Sequence, residues 1–157
     1  MCICALALLI GSCNKTVDDS TYPGFRVTFN GQRYVADTAY YVMTPVGMNI
    51  YAYTGGQKKF SIELLGQTAT TYNIGILGSG SNSVYYTKDS QNIYSSNGVA
   101  SSGLLNITKF TDSTNRYSSS KYTDSTTHIN GNFYFTVRKS NDSVICTSGY
   151  FNLLQRH

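Results

Sequence analysis

The stretch INGNFYFTVRKSNDSVICTSGYF, residues 129–151, decides the fold of this chain. Ile129, Gly131, Phe133, Phe135 and Val137 alternate with Asn130, Asn132, Tyr134, Thr136 and Arg138. A period of two marks a strand with one face in a core and the other toward water. The cluster Ser140-Asn141-Asp142 then supplies turn chemistry, because short polar side chains bond their own backbone and tolerate unusual φ. Val144 to Phe151 leads the chain back as a second strand. Cys146 falls on the apolar face with Val144, so it reads as a small buried hydrophobe rather than a reactive thiol.

The same pattern recurs upstream. In FRVTFNGQRYVA, residues 25–36, alternation meets Asn30-Gly31, which suits a two-residue type I′ turn with positive φ at both positions. That turn sets Phe29 opposite Gln32, Val27 opposite Tyr34 and Phe25 opposite Ala36, so the apolar set shares one face. A second hairpin runs from Met48 to Tyr53, turns at Gly55-Gly56 and returns over Lys59 to Leu65, with Met48, Ile50, Ala52, Phe60, Ile62 and Leu64 inward. Leu104 to Phe110 forms a further strand, inward at Leu105 and Ile107. Segments 78–102 and 111–127, rich in Gly, Ser, Asn and Tyr, hold short edge strands or long loops. No sustained helical period follows residue 13. These signals predict an all-β chain, an antiparallel β-sandwich of roughly 8–10 strands, with a lipocalin-like β-barrel as the alternative.

Composition agrees. The 157 residues suffice for a core that hides roughly 70% of the unfolded surface. Only 13% are charged, Tyr contributes 14, Pro only 2, and Trp is absent. Aromatic and β-branched side chains suit a pleated surface. The net charge of +4 is spread along the chain without the basic stripe that nucleic-acid binding uses, so no nucleic-acid partner is expected.

The N-terminus carries a different message. Cys2 to Ile10 is an uncharged apolar run, too short for a membrane-spanning helix of about 20 residues and suited to a secretory h-region. It ends in Ile10-Gly11-Ser12-Cys13. That tetrad resembles a bacterial lipobox, in which cleavage between Ser12 and Cys13 leaves an acylated Cys13 as the mature N-terminus. The chain departs from the pattern in having no Lys or Arg before the apolar run. The resemblance implies a signal peptide over 1–12, a lipidated N-terminus and tether over 13–23, and one β-domain over 24–157. Cys2 and Cys4 would leave with the signal and Cys13 would be blocked by lipid. Cys146 would remain alone, so no intramolecular disulfide is expected. The tether could reach roughly 33 Å from Asn14 to Pro23, and its Asp18 and Asp19 resemble the acidic surface-export signals of Bacteroidota lipoproteins. The implied address is the cell envelope, lipid-anchored at the outer membrane, with the bilayer as partner.

Three segments also resemble a family. FNGQRYVA, GLLNITKF and INGNFYFTV with VICTSGYFN are similar to the small Bacteroidota lipoproteins that carry a β-rich domain of unknown function, over roughly residues 25–152. The resemblance implies a β fold and a lipid anchor, and it brings no catalytic residues with it.

Catalytic constellations are sparse. Glu63, the lone Glu, stands on the outward face of its strand, and a glycosidase needs a second carboxylate across the sugar. The Asp residues fall in tether or turn-like contexts. His128 and His157 form neither a triad nor a metal cluster. No enzyme activity, metal or cofactor is therefore expected, and the domain reads as a monomeric module for surface interaction or envelope structure.

The alternative is a glycan-binding module, in which Tyr51, Tyr53 and Tyr134 stack on sugars. Adjacent pairs such as Tyr85-Tyr86 must point to opposite faces. Finally, Asp37-Thr38-Ala39, Asp112-Ser113-Thr114, Asp124-Ser125-Thr126 and Asp142-Ser143-Val144 resemble the Bacteroidota O-glycosylation triplet, with Thr38, Ser113, Ser125 and Ser143 as acceptors. The competing reading is that Asp-Ser and Asp-Thr make good turns.

Overall fold

The computed structural model describes residues 24–75, 82–97, 103–115 and 124–156. Ser12 and Cys13, with the whole signal and tether, lie outside the described residues. The chain is all-β and antiparallel, with no helix among the described residues. Its strands are β1 (Gly24–Phe29), β2 (Gln32–Val35), β3 (Thr38–Thr44), β4 (Gly47–Thr54), β5 (Gln57–Leu65) and β6 (Thr71–Ile74). They continue as β7 (Ser83–Asp89), β8 (Asn92–Ser95), β9 (Gly103–Asn115), β10 (Asp124–Lys139) and β11 (Asp142–Leu154).

All eleven belong to one sheet, ordered β2-β1-β11-β10-β8-β7-β5-β4-β3, with β9 on β10 and β6 on β9. The sheet is strongly curled into a half-barrel. Phe25 on β1 and Phe60 on β5 have four strands between them in the sheet order, yet their rings lie 5.2 Å apart. The inner-face packing of a sandwich and the continuity of a barrel thus come from one curled sheet. The curl brings β3 to the tail of β11, where Tyr41 and Gln155 form a parallel bridge and the Arg156 N–H donates to the Tyr41 carbonyl at 2.8 Å.

The turns form as their residues dictate. Asn30 and Gly31 have φ of 43° and 82°, and Gly55 and Gly56 have 56° and 74°. Positive φ at both central positions is the type I′ condition, which matches the twist of the flanking strands. The registers follow: Phe29 faces Gln32, Val27 faces Tyr34, and the Ala36 N–H donates to the Phe25 carbonyl at 2.9 Å. Every position read as inward in the second hairpin is buried, as are Leu105, Ile107 and Cys146.

Two expectations are revised. Residues 111–115 and 124–127 are extensions of β9 and β10, which run 13 and 16 residues, the rest of the segment 111–127 lying outside the described residues. In consequence Asp112 and Asp124 sit in ladder positions, opposite Thr127 and Asn115, rather than in turns.

The β10–β11 pair explains its glycines. Phe133 faces Gly149, and Phe151 faces Gly131. A Cβ on Gly149 would lie 2.0 Å from the Phe133 ring, and one on Gly131 would lie 2.2 Å from the Phe151 ring. Each ring therefore lies across the glycine opposite it, and the two exchanges interlock. The interlock anchors a file of rings: Phe133 packs on Phe135 at 5.5 Å, on Phe151 at 6.2 Å and on Phe25 at 5.2 Å. Burial of each such side chain contributes about 1.5–3 kcal/mol.

Candidate functional site

At one end of the half-barrel the β1–β2, β7–β8 and β10–β11 turns surround a cleft of about 450 Å³. Period-two alternation brings the inward residues nearest each turn to the same mouth, namely Phe29, Tyr34, Tyr86 and Tyr94. Their rings form a continuous floor, with Phe29 to Tyr86 at 4.8 Å, Phe29 to Tyr34 at 6.1 Å and Tyr86 to Tyr94 at 5.9 Å. Beneath them Phe60 stacks on Phe29 at 5.1 Å and on Tyr86 at 5.1 Å. Phe29, Tyr34 and Tyr86 are only half-buried, so ring surface remains open to a ligand.

The rim is polar. Gln32 and Arg33 come from β2, Lys88 from β7, and Asp142 and Ser143 from β11. Tyr94 Oη donates to Asp142 Oδ2 at 2.5 Å, and the Ser143 N–H donates to Asp142 Oδ1 at 2.8 Å. The Tyr94 hydrogen bond, then the backbone one, holds the Asp142 carboxyl below the usual carboxylate range. The same contact raises Tyr94, and burial raises Tyr34 and Tyr86. All three phenols thus stay protonated at neutral pH, with Tyr94 donating to Asp142 and Tyr34 Oη paired with Thr54 Oγ1.

Cross-turn contacts brace this mouth. Lys139 Nζ donates to the Gln91 carbonyl at 2.6 Å and to Asn92 Oδ1 at 2.7 Å, while Asp89 accepts from the Gln91 and Asn92 N–H groups. The cleft holds one carboxylate, already engaged, and two cations. Among the described residues no group of three metal-ligating side chains occurs. Such a site can stack a flat apolar face and hydrogen-bond a polar edge.

The residues singled out in the sequence fall elsewhere. Tyr51 and Tyr53 stand together on the outer face of β4, joined by Tyr40 from β3. Tyr40 and Tyr51 rings are 5.6 Å apart, Tyr40 and Tyr53 rings 5.8 Å, and their Oη atoms 3.1 Å. Arg156 lies over Tyr40 at 4.8 Å and Lys58 over Tyr51 at 5.4 Å. Tyr134 is exposed on β10, apart from this trio. Tyr85 and Tyr86 do point to opposite faces: Tyr86 into the cleft, Tyr85 outward to accept from Asn97 Nδ2 at 2.7 Å.

Glu63 is outward and accepts from Ser83 Oγ at 3.3 Å. Thr38 and Ser143 are exposed at strand starts, whereas Ser113 and Ser125 occupy ladder positions opposite Thr126 and Thr114. The cleft residues Tyr34, Tyr86 and Tyr94 carried one signal in the sequence, their inward phase next to a turn. Their convergence depends on strand order, which no local pattern encodes.

The sequence matches the family described as Domain of unknown function (DUF6252) over residues 21–154, and the chain belongs to that family. No curated protein and no solved structure matches it.

Proposed function

We propose that this family member is a non-catalytic binding domain of the bacterial cell envelope, whose ligand seat is the cleft at the half-barrel mouth. The observation that carries this is the meeting of an open aromatic floor with a polar, cation-bearing rim in one cavity. A saccharide unit has the matching chemistry: its C–H face stacks on Phe29 and Tyr86, and its hydroxyls meet Lys88, Gln32 and the Tyr34 phenol. The single engaged carboxylate favours binding over hydrolysis, since glycoside hydrolysis uses two.

The test is calorimetric titration of the full chain with a panel of neutral and acidic mono- and disaccharides. Saturable binding that falls at least about fivefold in both Lys88→Ala and Tyr86→Leu is expected. A flat panel, or binding indifferent to both changes, refutes the seat.

The envelope address rests on Ile10-Gly11-Ser12-Cys13, read as a lipobox of the small Bacteroidota lipoprotein type. Acyl chains on Cys13 would partition into the outer membrane at about 0.8 kcal/mol per buried methylene, two chains giving stable anchoring. Cys13→Ala should move the protein from the membrane to the soluble fraction of cells expressing the full chain. Unchanged membrane fractionation would refute the anchor while leaving the cleft reading intact.

A further inference from the structure

The strand registers assemble an outer-face row that no local stretch of sequence displays. Tyr40 pairs with Tyr51, Tyr51 with Ser61, Ser61 with Tyr85, Tyr85 with Ser95, and Ser95 with Arg138. Direct cross-strand partners share a face, so these six side chains form one strip across β3, β4, β5, β7, β8 and β10. At about 4.8 Å per strand the strip spans roughly 24 Å. Ser61 is only 7% exposed although it is on the outward face, between Tyr51 and Tyr85. Ser61 is thus covered by its neighbours, and the Tyr51 and Tyr85 rings on either side of it form the contact surface of the strip.

Amides brace the phenols along it, Asn49 Nδ2 donating to Tyr51 Oη at 3.2 Å and Asn97 Nδ2 to Tyr85 Oη at 2.7 Å.

Charge follows the same line. Arg156 caps the Tyr40 end, Lys58 lies on Tyr51, and Arg138 closes the other end. None of the three has a carboxylate partner among the described residues. Two carboxylates are nearby, Asp37, which accepts from the Gly55 N–H at 2.7 Å, and Glu63, which accepts from Ser83, so the three cations leave the strip net positive. From this we infer that the strip binds an extended anionic polysaccharide, whose sugar faces lie on the Tyr rings and whose acid groups meet Lys58, Arg138 and Arg156. The elongated shape favours a chain over a compact ligand, and the phenol-and-amide lining suits sugar hydroxyls better than acyl chains. The strip is on the opposite face of the sheet from the mouth cleft and does not depend on it.

The test titrates the full chain with an oligogalacturonate, a neutral cello-oligosaccharide of equal length, and phosphatidylglycerol vesicles. Lys58→Glu and Arg138→Glu change exposed side chains outside the core, so folding is preserved; Tyr51→Ala probes the stacking. Salt-sensitive binding of the oligogalacturonate is expected, weakened at least about fivefold by each of the three substitutions and unchanged by Lys88→Ala. Four results overturn it: no saturable binding, equal affinity for the neutral chain, tighter capture by the vesicles, or a loss that follows Lys88→Ala instead of the strip variants. Because Lys88→Ala reports only on the cleft, failure of the strip and failure of the cleft are told apart.

Discussion

Gly149→Ala tests the interlock that fixes the β10–β11 register. Gly149 is not among the glycines with positive φ, so alanine fits its backbone. Without a clash the change would stabilise by about 0.4–1 kcal/mol, through lower entropy of the unfolded chain. The new methyl, however, would sit 2.0, 2.2 and 2.4 Å from Cε2, Cζ and Cδ2 of Phe133. That ring is 3% exposed and packed on Phe25, Phe135 and Phe151, so it cannot swing clear without disturbing its neighbours. Overpacking of this kind costs about 1–3 kcal/mol and here outweighs the entropic gain. The net loss should lower Tm by roughly 3–10 °C. Urea and thermal unfolding, followed by Tyr fluorescence and far-UV circular dichroism, give the number.

The decisive comparison repeats Gly149→Ala in a Phe133→Val background, where valine has no atom beyond Cγ and so none equivalent to Cδ2, Cε2 or Cζ. There the alanine should cost less than about 0.5 kcal/mol, giving a coupling above about 1 kcal/mol between the two sites. A neutral Gly149→Ala, or an equal cost in both backgrounds, would refute the interlock.

Two further outcomes follow from buried and bridged groups. The Cys146 thiol is pushed up to about 12 by burial, so peptide mapping after treatment with a thiol reagent near pH 8 should find it unmodified in native protein and modified in denaturant; rapid native labelling would contradict its place in the core. Tyr94→Phe should destabilise at neutral pH by removing the Asp142 contact. Because Asp142 is depressed in the folded state, that contribution is present above its unfolded pKa of about 3.9 and is lost as pH falls through the folded value. The gap between wild type and variant should therefore close toward acid in urea midpoints measured from about pH 6 downward, and a gap that stays constant would remove Asp142 from the account.

The parts of this fold that were legible in the sequence are those written into adjacent residues. Asn30-Gly31 and Gly55-Gly56 fix two turns through their φ requirements, and alternation then fixes the faces of every strand those turns join. Strand order is different in kind. The placement of β8 between β7 and β10, and of β3 beside the tail of β11, joins residues far apart in the chain through ladder bonds that any extended backbone can make. The half-barrel curl and the cleft depend on that order. Tyr51 and Tyr53 were visible as outward neighbours on one strand, but Tyr40, Lys58 and Arg156 joined them only through pairing and curl. Asp112 and Asp124 misled for a related reason: their turn-forming tendency is overridden by the long β9–β10 ladder.

The positions that interlock β10 with β11 and the positions that line the proposed sites are different residues. Gly131, Phe133, Gly149 and Phe151 lie in the INGNF and TSGYF segments and serve the interlock, where a methyl group is felt at 2 Å. Lys88, Tyr51 and Arg138 lie on surfaces where substitution costs the core much less, Arg138 being on the outside, whereas Tyr86 and Tyr94 also pack on the core, Tyr94 being 3% exposed. Substitution in the interlock is therefore felt first by stability, and substitution at Lys88, Tyr51 or Arg138 first by binding, so one scaffold can carry different ligand surfaces. On this reasoning a family member with the same glycine–phenylalanine exchange but Gln at the equivalents of Lys58 and Arg138 should fold to the same half-barrel. It should also bind oligogalacturonate no better than the neutral chain, and a member so substituted that still preferred the acidic chain would show that the cations of the strip are not what reads the charge.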